Sequence, residues 1–406
     1  MPLGLNKLKH IVVVMMENRS FDHMLGGLKA TDPRIAGLTG DEFNLGTDGK
    51  KVKVKSNAAY QGQLDPDPDH HFAGVDLQIF GGNMANDRPA TMDGFVKSYH
   101  AQRRDLAHSR LVMSYYKPSK LPVLTTLAQQ YAVFNGWFSS IPGPTLCNRA
   151  FAHYGTSFGH VGMNVFYLNT IYRSVYQRLD DAGKTAKIYY FDQKSSTLEV
   201  VNLLQHQPKF FGLFDQFVAD CAANTLPAFS FVEPNYSDHE ENGIPLMASD
   251  QHPDHDVREG ERLLAHVYNA IRSNPQVWES TALLITYDEH GGIYDHVPPP
   301  ACDPDGFVAQ PADTGTGKPF LFDRLGVRVP AVLVSPWIAP GTVVPGVGEA
   351  DARIFEHASI PRTVTDFFLP GFPPASRSPR ERAAEAFTDL LTLDQMRTDT
   401  PTFTLL

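Results

Sequence analysis

The chain has 406 residues, 42% of them hydrophobic, and a formal net charge of -10. That much apolar chain can bury a large core, and the acidic balance excludes the basic face with which a protein grips a nucleic-acid backbone. A single phosphate ester remains an acceptable substrate, because a metal and a few local donors can meet one phosphate against a negative background.

The first informative stretch runs from Ile11 to Asp22. Its unbroken apolar start predicts a strand over Ile11 to Met16 covered on both faces, as in a parallel sheet between helices. It ends at Glu17 and Asn18, which would project beyond the strand's carboxyl end, where open α/β sheets hold their ligands. The alternative is a solvated turn. Ahead of it there is no room for a signal-peptide apolar region, so the protein is expected in the cytoplasm, or in the periplasm or outside the cell with its export signal outside this sequence.

From Thr31 to Lys120 the chain is rich in Gly, Pro, Asp and His without sustained periodicity. This is the pattern of an inserted cap or lid over the sheet's carboxyl edge. Its run Asp65 to His71 resembles a metal site, although the prolines favour an exposed turn. Its aromatic residues Phe72, Phe80, Phe95 and Tyr99 are candidates for a lipid groove or for core.

A short strand is expected at Ala132 to Phe134. After it, Ile141 to Arg149 places two prolines and a glycine before a segment that can be helical from Thr145 onward. Thr145 is there a candidate nucleophile or phosphate contact at a helix N-terminus, or an ordinary N-cap. Cys147, Cys221 and Cys302 are too few and too scattered for a disulfide framework or a zinc ribbon.

Further strands are expected at Lys187 to Phe191 and Ala228 to Val232. Ser249 to Asp256 then mixes Asp, His and Ser; Asp256 suits an N-cap, whereas His252 has no such use and is a candidate proton donor. The clearest helix is Arg258 to Ser273, with Leu263, Leu264, Val267 and Ile271 on one side and Arg258, Glu259, Glu261 and Arg262 on the wetter one. Beyond it, the strand Ala282 to Tyr287 leads into Asp288-Glu289-His290-Gly291-Gly292 and Tyr294-Asp295-His296. Adjacent carboxylates at a strand end repel unless a cation neutralises them, which points to a divalent metal. Ala331 to Ser335 is the last expected strand, and a terminal helix is expected over Arg380 to Leu391. No apolar run approaches the roughly 20 residues that cross a bilayer, so membrane contact would be peripheral.

Alternating strands and helices argue for a doubly wound α/β sheet with helices on both faces. The expected organisation is one catalytic domain over 1–372, containing the insertion at 31–120, followed by a helix and extended tail at 373–406.

Glu17-Asn18-Arg19-Ser20-Phe21-Asp22, Gly143-Pro144-Thr145 with Asn148-Arg149, and Asp288 to Gly292 with Tyr294-Asp295-His296 together resemble the phosphoesterase family of bacterial and plant non-specific phospholipases C and acid phosphatases. Met92 to Val96, Pro234 to Tyr236 and His357 to Ile360 also look like family segments. The resemblance implies an alkaline-phosphatase-like fold and one divalent metal ion held by Glu17, Asn18, Thr145, Asp288 and Glu289. Calcium, magnesium, manganese, iron and zinc are not distinguished. Thr145 would be the nucleophile, with His252, and secondarily His290, near the phosphate; a structural hydrogen bond beside Gly291 is the other reading of His290, and Arg149 suits either a phosphate contact or, in preference, an ion pair with a carboxylate such as Asp22. The implied substrate is a phospholipid, cleaved to diacylglycerol and a phosphorylated head group through a phospho-threonine. A phosphomonoester for an acid phosphatase is the alternative, and a non-catalytic metal- or phosphate-binding module a remote one. No obligate protein partner is evident. Leu146-Cys147 departs from the His-Pro pair of plant members.

Overall fold

A computed structural model describes residues 3–85, 88–164, 171–191, 195–201, 207–241, 243–345 and 352–404. Eight strands form the main sheet: β1 (His10–Met16), β2 (Ala132–Phe134), β3 (Ala186–Tyr190), β4 (Phe211–Leu213), β5 (Phe229–Val232), β6 (Thr281–Tyr287), β7 (Ala331–Val334) and β8 (Thr342–Val344). Their spatial order is β8-β2-β7-β6-β1-β5-β3-β4. Every pairing is parallel except those of β7, which runs antiparallel to both β6 and β2. This is the mixed α/β, mostly parallel sheet that the alternating pattern predicts.

The all-apolar run of β1 follows from its position. It lies between β6 and β5, pairs with β6 from His10↔Thr281 to Met16↔Tyr287, and is buried along its whole length. Two helix layers cover the sheet. Helices α3 (Pro122–Gln130), α6 (Phe214–Ala223) and α7 (Val257–Ser273) pack together in one, and α4 (Thr145–Tyr154), α5 (Val175–Asp181) and α8 (Ser359–Phe368) in the other. Asp256 caps α7 through the Arg258 amide. Glu261, expected on the wet face of α7, is instead buried: its carboxylate accepts from the Val123 and Leu124 amides at 2.6 and 3.2 Å. Those amides open α3, where the unpaired N–H groups and the helix dipole favour an anion.

The insertion carries more structure than its composition suggests. It holds helices α1 (Phe72–Phe80) and α2 (Phe95–Arg103), and Phe80, Phe95 and Tyr99 are buried in a second apolar cluster with Val75, Ile79 and Val112. Phe72 packs into the main core. These aromatics are core, not a lipid groove. The expected terminal helix over Arg380 to Leu391 is confined to Pro379–Ala383 and a 3-10 turn at Thr388–Leu390. No helix among the described residues is long and apolar enough to cross a membrane.

Behind the strand ends lies a buried charge network. The Arg328 guanidinium donates to Asp22 at 2.9 Å and to Asp295 at 3.2 Å, while His296 Nδ1 donates to Asp22 at 2.6 Å. Asp22, Asp295 and His296 have the spacing of a metal site, but Arg328 already supplies their cation. The network ties the loop after β1 to the loop after β6. Arg328→Ala is expected to destabilise the protein by about 3–5 kcal/mol, since it strands two buried carboxylates. A denaturant midpoint equal to that of the parent would show that the network contributes nothing.

Candidate active site

Glu17 and Asn18 leave the end of β1, Asp288 and Glu289 leave the end of β6, and the parallel register Met16↔Tyr287 brings the two pairs side by side. Asn18 takes a left-handed backbone at φ 56°. Its amide donates to Asp288 Oδ1 at 3.0 Å. Gly291 explains how the loops come so close: a Cβ there would stand 2.1 Å from the Asn18 carbonyl oxygen. At Gly292 a Cβ would meet the Asp69 carbonyl oxygen at 2.7 Å. The glycine pair therefore admits neighbouring backbone from β1 and from the insertion.

Thr145 is the first residue of α4, and no side chain caps that helix, so the ordinary capping role is not the one realised. Its Oγ1 lies 3.4 Å from Asn18 Oδ1. The loop before it is held by buried Asn148, whose Nδ2 donates to the Gly143 carbonyl at 2.7 Å and whose Oδ1 accepts from the Ile141 amide at 3.1 Å. The fixed helix start leaves N–H groups and the positive dipole end facing the site.

Arg149, one turn further on, is buried between the two strand ends. Its Nη2 donates to Glu17 Oε1 at 3.2 Å and its Nε stands 3.4 Å from Asp288 Oδ2. Asp22, its expected partner, belongs to the Arg328 network instead. Burial pushes the Glu17 and Asp288 carboxyls up, against the pull of Arg149. Burial acts in the same direction on Glu289 but is outweighed by His70 and His290, and its carboxyl is held below the usual range. Asp288 Oδ2 and Glu289 Oε1 are buried without a hydrogen-bond partner. Arg149 stands against the first at ion-pair distance, which leaves Glu289 Oε1 as the buried oxygen that is costly unless a further cation meets it, and an all-oxygen donor set suits a hard divalent ion.

A cleft of about 790 Å³ opens over this centre, bordered by Glu17, Asn18, Thr145, Arg149, His252 and Tyr236. The insertion adds Asp67 and His70. Both lie in the run whose prolines favoured an exposed turn, and only tertiary contacts reveal their use. Gln78 on α1 donates to the Asp69 carbonyl at 2.6 Å and accepts from His290 Nε2 at 2.7 Å, joining the insertion to the loop after β6. That hydrogen bond turns His290 away from the cleft; its Nδ1 is 3.4 Å from Glu289.

His252 does face the cleft. Arg19 holds its loop by donating to the Gln251 and His252 carbonyls at 2.6 and 3.1 Å. Its Nδ1 donates to Asp254, and its Nε2 is 3.4 Å from Asp67. Burial lowers the imidazole's pKa, but the contacts with Asp254 and Asp67 outweigh it and lift the value to about 11. His357 serves from behind: its Nε2 donates to the Asp288 carbonyl at 2.6 Å, and burial lowers its pKa to about 4, keeping it neutral. The arrangement brings a hydroxyl at a helix start, the Glu17 carboxylate and a protonated imidazole to one cleft, with the buried Asp288 and Glu289 behind Asn18.

A family model described as the Phosphoesterase family matches residues 8–369. Non-specific phospholipase C1 of Arabidopsis thaliana is 42% identical over 376 residues, covering 89% of this chain and 67% of that protein. Non-specific phospholipase C6 of the same plant is 40% identical over 410 residues, with 97% and 74% covered. A solved structure described as a protein in the alkaline phosphatase superfamily from Vibrio parahaemolyticus overlaps with a TM-score of 0.37 at 12% identity, covering 67% of this chain and 63% of that one.

Proposed function

Since this chain belongs to the Phosphoesterase family, we propose that it is a phospholipase C that cleaves phospholipids such as phosphatidylcholine to diacylglycerol and a phosphorylated head group. The observation that carries this reading is the position of Thr145 at the uncapped start of α4, beside Asn18 and facing the cleft. Glu17, Asn18, Asp288 and Glu289, with Thr145 itself, would hold one divalent metal ion, and the buried Glu289 Oε1, which has no hydrogen-bond partner, supports that fit. Bound there, the ion would supply Lewis acidity, easing ionisation of a hydroxyl and offsetting charge on phosphoryl oxygens.

The chain's own residues do the rest. Thr145 Oγ1 attacks phosphorus as the α4 N–H groups and dipole favour the added negative charge. Oγ1 gives up its proton to solvent as its bond to phosphorus forms, the bond from phosphorus to the glycerol oxygen breaks, and His252 delivers its own proton to that oxygen as diacylglycerol leaves. Water then attacks phosphorus, passing a proton to the now neutral His252, and the bond from phosphorus to Oγ1 breaks, releasing the phosphorylated head group as Oγ1 regains a proton from solvent. Arg149 fixes the orientation of Glu17 and Asp288, and His290 positions Glu289.

Incubation of the metal-defined protein with phosphatidylcholine, p-nitrophenyl phosphorylcholine and p-nitrophenyl phosphate tests the assignment. Diacylglycerol and phosphocholine are the expected products. Efficient cleavage of the monoester alone would make the protein a phosphomonoesterase using the same residues.

A further inference from the structure

Beside the cleft, separated from it by a short hairpin, lies a groove of about 270 Å³ whose apolar wall is Phe191, Leu246, Met247 and Leu263 and whose other border carries Asn235, Ser249, His266 and the Glu259–Arg262 ion pair. The hairpin's two strands are His239–Glu241 and Ile244–Leu246, with Leu246 opposite His239. His239 and Glu240 border the cleft, whereas Leu246 and Met247 border the groove. The paired residues His239 and Leu246, about one strand spacing or roughly 5 Å apart, thus border different spaces. The same division recurs in the preceding segment, where Tyr236 borders the cleft and its neighbour Asn235 the groove.

We propose that this groove is an acyl-chain subsite: a phospholipid whose phosphate sits at Thr145 lays one chain across the hairpin and into the space beside Leu246 and Met247. The inference rests on the phospholipid reading above and adds where the lipid goes. One wall of the groove, Phe191, Leu246, Met247 and Leu263, is apolar, and the Glu259–Arg262 pair on the other side is neutralised internally, so the groove offers a chain an apolar side that the charged cleft lacks. Ile244 and Met247 are 62% and 44% exposed, so the hairpin carries bare hydrophobic side chains next to the phosphoester site. The base of the hairpin is fixed, because Asn235 Nδ2 donates to the Met247 carbonyl at 2.9 Å and Asp238 accepts from the Ala248 amide at 2.7 Å. Phe191 is held by stacking on Phe214 at 4.3 Å between ring centroids. A preformed groove spares a chain the cost of ordering its walls.

The test measures binding apart from turnover. Dodecylphosphocholine, below its micelle concentration, and phosphocholine are titrated into Thr145→Ala protein with and without Met247→Gln, an exposed site where the change is compatible with folding. Met247→Gln is expected to weaken dodecylphosphocholine about tenfold and leave phosphocholine unchanged. Equal affinities for dodecylphosphocholine, or equal weakening of both ligands, would overturn the subsite. The phospholipase reading fails separately, if the parent protein hydrolyses monoesters and leaves phosphatidylcholine intact.

Discussion

Thr145→Ala is expected to lower phosphatidylcholine turnover by more than about 10³-fold, because it removes the atom to which phosphorus is transferred. The fold should survive: Thr145 caps no helix, and the loop before it is held by Asn148 rather than by the threonine. The companion observation is covalent. Acid-quenched protein turning over phosphatidylcholine should carry phosphocholine on Thr145, visible by mass spectrometry. Substantial turnover by folded, metal-loaded Thr145→Ala protein would instead mean that water attacks directly and that Thr145 is at most a ligand.

The centre of this site was legible because its residues stand beside strong local signals. Glu17 and Asn18 follow an apolar run too long and uniform for a surface strand, and Asp288 and Glu289 follow a second such run. Once both runs are neighbouring parallel strands, their ends must meet. What stayed hidden depends on contacts that no local pattern encodes. The strands Phe211–Leu213 and Thr342–Val344 are three-residue edges of the sheet, too short to show a period. Asp67 and His70 read as a proline-flanked turn, and reach the cleft because Gln78 grips the Asp69 carbonyl and Gly292 leaves room for that backbone. His290 reads almost equally as a phosphate contact or as a structural hydrogen-bonder, and Gln78 decides for the second by drawing its ring away. Arg149 is expected beside Asp22 but pairs with Glu17 and Asp288, since Arg328, far along the chain, takes Asp22. The insertion's aromatics read equally well as groove or core, and their own buried cluster decides for core.

His252 is the second residue on which turnover should depend, and its effect should vary with the leaving group. Diacylglycerol departs as a poorly stabilised alkoxide unless it is protonated, whereas nitrophenolate departs readily without help. His252→Asn is therefore expected to slow phosphatidylcholine cleavage by about 10²–10⁴-fold and p-nitrophenyl phosphorylcholine cleavage far less. Equal losses on the two substrates would show that His252 binds phosphate rather than donating a proton. The pH profile gives an independent reading. The donor acts in its protonated form, so its contribution is present below its pKa and lost above it, and the contacts with Asp254 and Asp67 lift that pKa to about 11 despite burial. Removing the Asp254 charge takes away one of these supports. In Asp254→Asn protein the alkaline limb of the rate profile for phosphatidylcholine should consequently move to lower pH, while the profile for p-nitrophenyl phosphorylcholine should not follow it. A limb that stays in place would assign the proton to another group.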